Sequence, residues 1–141
     1  MNHLIFALAM VFVVGCGPMN GVLTVKASDS APAALRDVYT VMTSNGFLMK
    51  KPQSTETYSE EKWFESDTST SGAFMDPSYA QLVVVVMYLK SARELLVIFD
   101  ESTTGFSAEG QAKTDTAVRA LKERFGDKVA ISERRNYKGT E

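Results

Sequence analysis

The chain of 141 residues contains one histidine and one cysteine, His3 and Cys16, and both lie near its start. From residue 17 onward, no side chain can act as a thiolate nucleophile or an imidazole base. This excludes Ser-His-Asp catalysis, Cys-His catalysis and an internal disulfide there. It also excludes the usual zinc, copper and haem ligand sets, leaving oxygen ligands for calcium or magnesium. We therefore expect no cofactor.

An excess of charge of either sign is also missing. The chain has 15 basic and 17 acidic residues, and its formal net charge is −2 at pH 7. A nucleic-acid-binding domain uses a basic face to neutralise phosphates, so we expect no nucleic-acid partner. Hydrophobic residues make up 45% of the chain, which is normal for a globular domain and too high for a disordered one.

The longest apolar run covers residues 4–14, and these eleven residues are followed by Gly15 and Cys16. The run is too short for a membrane span, which needs about 20 helical residues. It matches the roughly 7–15-residue apolar centre of a secretory signal. Val13, Val14, Gly15 and Cys16 resemble the lipobox of bacterial lipoproteins, in which two branched or small residues and a Gly or Ala precede an invariant cysteine.

The lipobox resemblance implies that residues 1–15 are a signal peptide that is removed, and that Cys16 is diacylated and then acylated on its new amine. Residues 16–21 then form the lipidated cysteine and a short linker. Five residues reach at most about 18 Å, so we expect the domain to lie close to the lipid surface. In enterobacterial sorting, an Asp after the cysteine favours the inner membrane. Gly17 occupies that place here, which implies the outer membrane, facing the periplasm.

Two amphipathic helices are predicted. The first begins near Pro32 and ends at Asn45-Gly46, and the second begins at Ser107 and ends at Gly126. The apolar stripe of the first helix is Leu35, Val38, Tyr39 and Met42, and that of the second is Ala117, Val118, Leu121 and Phe125.

Six short apolar or β-branched runs predict strands, at residues 22–25, 47–49, 62–65, 82–89, 95–99 and 128–132. The order β-α-β-β-β-β-α-β predicts an α+β fold. It is a two-layer sandwich with a mostly antiparallel sheet and two helices on one face. We expect one domain over residues 22–134 and a polar tail over residues 135–141. Residues 66–80 are predicted to form a long loop or flap carrying Phe74, Met75 and Tyr79.

The hairpin of strands 82–89 and 95–99 is apolar on both faces. If the two strands pair in phase, one face is formed by Val83, Val85, Met87, Leu89, Leu95, Val97 and Phe99, which we expect to face the helices. The opposite, partner-binding face is then formed by Leu82, Val84, Val86, Tyr88, Leu96 and Ile98. So large an apolar patch needs a cover, which is the flap, a second copy of the chain or a binding partner.

The residues that carry catalytic or metal-binding patterns have simpler explanations. Residues 105–110 nearly match the nucleophile elbow G-x-S-x-G, but without histidine Ser107 is better explained as a helix cap. Asp100 and Glu101 are candidates for a hard-cation site with Ser102 and Thr103, although turns favour these residue types as well.

A paired-carboxylate site at Glu61 and Glu65 has no feature that singles it out. Arg134, Arg135 and Lys138 form a basic tail, which is either a solvated terminus or a contact with anionic headgroups.

Two classes of function follow. The first is a lipid-anchored cell-envelope lipoprotein that is not an enzyme and binds a protein partner or itself, as an assembly accessory or as an inhibitor or immunity factor. The alternative is a lipid-anchored hydrolase that uses carboxylates, Ser or Lys without His. The missing His and Cys favour the first class.

Overall fold

The computed structural model describes residues 20–102 and 105–138. Its helices and strands are β1 Gly21–Ala27, α1 Ala34–Ser44, β2 Leu48–Lys50, β3 Phe64–Glu65, β4 Ser69–Asp76, β5 Tyr79–Leu89, β6 Glu94–Glu101, α2 Ala108–Phe125 and β7 Val129–Arg135. The predicted signal peptide and Cys16 lie outside the described residues. Neither of the two helices just named has the length and apolar character to cross a membrane.

The sheet has seven antiparallel strands in the order β2-β4-β5-β6-β1-β7, and β3 pairs with β4 as well. The α+β fold with two helices on one face of the sheet is confirmed. The helix stripes are confirmed too, since Leu35, Val38 and Met42 are buried in α1. In α2 the buried apolar residues are Ala117, Val118 and Leu121.

The predicted flap over residues 66–80 is wrong, because Ser69–Asp76 forms β4, which pairs with β5 on one side and with β2 and β3 on the other, and β5 already begins at Tyr79. Its many small and hydroxyl residues are typical of a loop, yet alternate positions face the core. A Cβ on Gly72 would lie 2.6 Å from Met49 Cε and 2.9 Å from Trp63 Cε3. The small residue is therefore required by close packing inside the sheet.

The predicted assignment of faces is wrong for β5 and right for β6. The register pairs Leu82 with Glu101, Val84 with Phe99, Val86 with Val97 and Tyr88 with Leu95. Residues paired in this way share a face, so Leu82, Val84, Val86 and Tyr88 lie in the helix-covered core with Leu95, Val97 and Phe99. The in-phase pairing assumed from the sequence is off by one residue, and such a shift moves every side chain of one strand to the other face.

The face of the sheet opposite the helices, called the second face below, has an apolar cluster of its own. Val22, Met87, Leu96 and Ile98 are buried in it, Val85 and Leu89 pack against it, and no residue of α1 or α2 belongs to it. By register the second face continues through Val83, Met75, Ala73, Leu48 and Phe64 to the β2–β3 edge. It is therefore built from sheet residues.

The predicted boundary between domain and tail at residue 134 falls inside β7, which runs to Arg135. The described residues after β7 return to α2. The Tyr137 ring lies edge-on to Phe106, with centroids 5.4 Å apart, and its hydroxyl donates to Asp115. Burial, reinforced by Asp115, raises the pKa of Tyr137 to about 12. Residues 136–138 are thus part of the packed domain.

Adjacent valines on β5 test the corrected assignment of faces. Val84 is fully buried under the helices, whereas Val85 is half-buried on the second face. We expect Val84→Lys to unfold the domain or cost more than about 4 kcal/mol, because it buries an unpaired charge. Val85→Lys should cost less than about 1.5 kcal/mol. Urea denaturation followed by circular dichroism measures both, and equal losses, or a larger loss for Val85→Lys, contradict the assignment.

Candidate functional site

A buried glutamate, Glu101, lies where β6 ends beneath the start of α2. It is 0% exposed. Its Oε2 accepts the Ser107 backbone N–H at 2.9 Å, and its Oε1 accepts the hydroxyl of Tyr79. In the described chain Glu101 forms no ion pair, so the N-terminal N–H groups and dipole of α2 supply the positive potential around it.

The start of α2 fits closely over this carboxylate because of Gly110. A Cβ at this position would lie 2.0 Å from Glu101 Oε2. The Gly110 N–H donates to Ser107 Oγ at 3.0 Å, which is the predicted helix cap. The glycine that made residues 105–110 resemble a nucleophile elbow therefore has a packing role at the helix start.

The hydrogen bonds around Ser107 do not activate it as a nucleophile. The hydroxyls of Ser107 and Tyr79 are 2.6 Å apart, and because Tyr79 donates to Glu101, Ser107 donates to Tyr79. Glu101 raises the pKa of Tyr79, so the phenol keeps its proton. Among the described residues, the Ser107 hydroxyl hydrogen-bonds only to the Tyr79 hydroxyl and the Gly110 N–H, and neither of these is a base. The three side chains fasten α2 to the sheet.

A second carboxylate fastens α2 at the same end of the sheet. Asp76 accepts the Lys113 ammonium at 2.7 Å and the Ser78 hydroxyl at 2.6 Å. Burial pushes the pKa of Asp76 upward, but the hydrogen bonds from Lys113 and Ser78 outweigh it and hold this pKa below its usual value. This ion pair joins the β4–β5 turn to α2.

The predicted cation site at Asp100 and Glu101 does not form. Adjacent strand residues point to opposite faces, and while Glu101 lies under α2, Asp100 lies on the second face and accepts from Asn20 Nδ2 at 3.1 Å. Burial raises the pKa of Asp100. Within residues 20–102 and 105–138, no group of three His, Cys, Asp or Glu side chains is placed to hold a metal ion. Thr103, the remaining candidate, lies outside the described residues.

The other predicted polar candidates have separate partners. Glu61 accepts from Arg36 and from the indole of Trp63, each at 2.8 Å. Glu65 pairs with Lys90 at 3.1 Å, and this hydrogen bond lowers the pKa of Glu65. Each carboxylate is thus engaged by its own cation, and the contacts give no shared acid–base site.

The basic residues predicted in the tail do not form one patch. Arg134 and Arg135 are consecutive in β7 and so alternate faces, and Arg135 is half-buried where its charge acts on Asp100. Lys138 is exposed, and its backbone N–H donates to Gln111 at 3.3 Å.

The six residues predicted to form a partner-binding surface are divided between the two faces. Leu82, Val84, Val86 and Tyr88 lie in the helix-covered core, so they cannot contact a partner, whereas Leu96 and Ile98 lie on the second face. The second face is buried on β1 and β6, where Val22 and Ile98 are both 0% exposed. Met75 of β4 and Met87 of β5 are buried on it as well, while other residues of β2–β5 keep accessible surface. The accessible part, called the outer patch below, consists of Leu48, Phe64, Ala73, Val83, Val85 and Leu89.

The outer patch contains both of the large hydrophobic side chains that are exposed among the described residues. Leu48 is 39% exposed and Phe64 is 40% exposed, both far more than the core residues. The sequence predicted an apolar second face but named the wrong β5 residues. Ala73 and Met75 of β4 also lie on the second face. They were not predicted there, because the small and hydroxyl residues of this segment are typical of a loop.

No family model matches the chain, and no significantly similar curated protein or solved structure was found.

Gly110→Ala tests the close fit between Glu101 and α2. Glycine to alanine inside a helix normally stabilises by about 0.5–1 kcal/mol. Here we expect a loss of about 1–3 kcal/mol in the free energy of unfolding, because the new Cβ overlaps Glu101 Oε2. The same substitution in a Glu101→Ala background should cost less, since the overlapping oxygen is gone. Equal effects in the two backgrounds, measured by urea denaturation, contradict the fit.

Lys113→Met tests the ion pair with Asp76 through its dependence on pH. The pKa of Asp76 is lower in the folded than in the unfolded state, so its contribution is present above the unfolded value, near 3.9, and is lost as the pH falls through the folded value. We expect Lys113→Met to lose about 1–2 kcal/mol at pH 7 and progressively less below pH 4. Lys51→Met, which breaks the exposed pair with Glu56, is the control and should change stability by less than about 0.5 kcal/mol. A loss that stays constant with pH refutes this role of the pair.

Proposed function

We propose that the chain is a lipid-anchored cell-envelope lipoprotein that binds a protein partner through the second face of its sheet and is not an enzyme. The observation that carries this proposal is the outer patch, an accessible apolar surface on the face that neither helix covers. Contiguous exposed apolar surface on a folded domain is typical of an interaction site. An accessory of envelope assembly and an inhibitor or immunity factor both work by such binding.

The anchor and the second face are close along the chain. The proposed lipidation site, Cys16, precedes β1 by the five residues 17–21, and Val22 already points to the second face. A linker of at most about 18 Å therefore keeps this face near the membrane surface. If sorting follows the enterobacterial rule, Gly17 directs the protein to the outer membrane, facing the periplasm.

The polar groups under the helices support a role without catalysis. Glu101, Tyr79 and Ser107 satisfy one another and the N-terminus of α2, and Asp76 is paired with Lys113. Each of these groups is explained by holding α2 on the sheet. The alternative, a hydrolase using carboxylates, Ser or Lys, has no observation of its own in its favour.

Two substitutions test anchoring and binding, the first by palmitate labelling and the second by the size at which the solubilised protein elutes. Cys16→Ala should abolish incorporation of labelled palmitate, because it removes the proposed acylated thiol. Val85→Lys should leave the protein lipidated and folded. After mild detergent solubilisation, however, it should elute at the monomer size, while the wild type elutes in a larger complex, because the substitution places a charge in the outer patch.

Ala112→Lys is the matched control for Val85→Lys, since Ala112 is exposed on α2, on the opposite side of the sheet. It should behave as the wild type. Absence of palmitate from the wild type refutes the lipid anchor, and a wild type that elutes as a monomer refutes the binding role.

A further inference from the structure

We infer that, in a chain that still carries its predicted signal peptide, residues 4–14 cover the part of the second face that lies on β1, β6 and the adjoining part of β5. Removal of the signal peptide then uncovers a larger binding surface. This inference rests on the proposed function and adds a control of the same face. It is supported by burial where neither helix reaches, by the place where the chain enters the sheet and by the apolar run itself.

The second face has an inner part that is buried without a described cover. Thr24 and Ile98 are paired on β1 and β6, and they are 5% and 0% exposed. Side chains on one face of a sheet stand roughly perpendicular to it, so they shield one another only from the sides. Full burial needs atoms above them, yet among the described residues the apolar cluster on this face contains strand residues alone. The inner part consists of Val22, Thr24, Met87, Leu96 and Ile98.

The outer patch is the part of the same face that has no such cover. Val85 lies beside Ile98 on the neighbouring strand and keeps accessible surface. Exposure reaches 40% at Phe64, near the edge of the sheet. By contrast, each apolar side chain that β1 and β6 place on this face is buried. Such a distribution is expected if one segment lies across β1 and β6.

The chain before residue 20 departs from this buried part. Asn20 is 6% exposed, and its amide donates to Asp100, which lies on the second face. Residues 15–19 reach at most about 18 Å from there, which is enough to span the inner part. Three stretches lie outside the described residues, 1–19, 103–104 and 139–141, and only the first contains an apolar run. That run is therefore the segment of the chain suited to cover the face.

The length and character of the run fit the inner part. As a helix, eleven residues extend about 16 Å. The strands β1 and β5 lie on either side of β6 and are about 10 Å apart. Residues 4–14 include no charged or polar side chain, so either side of such a helix can lie against Leu96 and Ile98. Cleavage before Cys16 removes the whole run, and the inner part then joins the outer patch in one surface.

Thiol reactivity in the full, unprocessed chain tests this inference. Cys16→Ser removes the native thiol and, in the proposed lipoprotein, blocks processing. In this background Leu96→Cys places one thiol on the inner part, and Leu95→Cys places one in the helix-covered core as the matched control. Phe6→Asp combined with Leu8→Asp then puts charges on opposite sides of the run, because residues two apart lie about 200° apart around a helix.

We expect Leu96→Cys to react slowly with a water-soluble maleimide when the run is natural. It should react at least about tenfold faster in the Asp variant, because labelling of a covered thiol requires the cover to open. Leu95→Cys should stay slow in both chains. Fast labelling of Leu96→Cys beneath the natural run means that the face is open, and equally slow labelling in both chains means that something else covers it. Either result overturns the inference.

Photo-crosslinking in the natural run decides the case in which the Asp variant also exposes Leu95→Cys, since the domain is then destabilised as a whole. Benzoylphenylalanine in place of Phe6 keeps an aromatic side chain in the run. It should cross-link within the same chain to residues 22–26 or 94–100, which mass spectrometry locates. Cross-links to other segments alone, or none, reject the inference.

These outcomes are distinct from a failure of the proposed function. Palmitate labelling and the complex formed by the processed chain do not depend on the cover. If the wild type takes up no palmitate while residues 4–14 protect Leu96→Cys, the cover stands, and the lipid anchor and the release by processing are rejected. If the wild type is labelled and forms its complex while Leu96→Cys is open in the unprocessed chain, the proposed function stands and the cover is rejected.

Discussion

The register between β5 and β6 is the constraint on which the rest of the structure depends. The pairing runs from Leu82 opposite Glu101 to Leu89 opposite Glu94, and residues 90–93 connect the two strands. Both strands are apolar on both faces, so a shift by one residue would still bury hydrophobic side chains. Such a shift would, however, move Glu101 away from α2 and bring Asp100 beneath it, where Gly110 and Ser107 are fitted to a glutamate.

The polar anchors and the apolar faces are two consequences of this register. Glu101 and Asp76 hold α2 at one end of the sheet, and α1 packs beside it, so both helices cover the same face. Because both helices pack on that face, the apolar cluster on the second face contains only side chains of the strands. An accessible apolar patch is then a consequence of a two-layer fold whose central strands are apolar on both sides. The short distance along the chain from Val22 to the predicted lipid anchor at Cys16 places this surface beside the membrane in the proposed lipoprotein.

Local patterns in the sequence predicted the helices well. The spacing of Leu35, Val38 and Met42 and the cap at Ser107 depend only on neighbouring residues. The faces of the sheet could not be predicted in this way, since a run such as Val83–Val86 carries no alternation that fixes its phase. β4 was missed because the small residues demanded by close packing, such as Gly72 against Trp63, are also those of loops. Glu101 was named as a candidate cation ligand in a turn, and its buried position at the end of β6 was not predicted, because an Asp-Glu-Ser run after a strand is typical of a turn. Cys16 lies outside the described residues, so the lipid anchor stays a prediction.

Interstrand nuclear Overhauser effects between β5 and β6, in isotopically labelled protein, test the register most directly. The account predicts contacts across the pairs Val84–Phe99 and Val85–Ile98, together with contacts from the Val84 methyl groups, and not those of Val85, to α2 or α1. Contacts that pair Val85 with Phe99 or Val97 would contradict it. They would place Val85 under the helices and remove the basis for a binding surface on the second face.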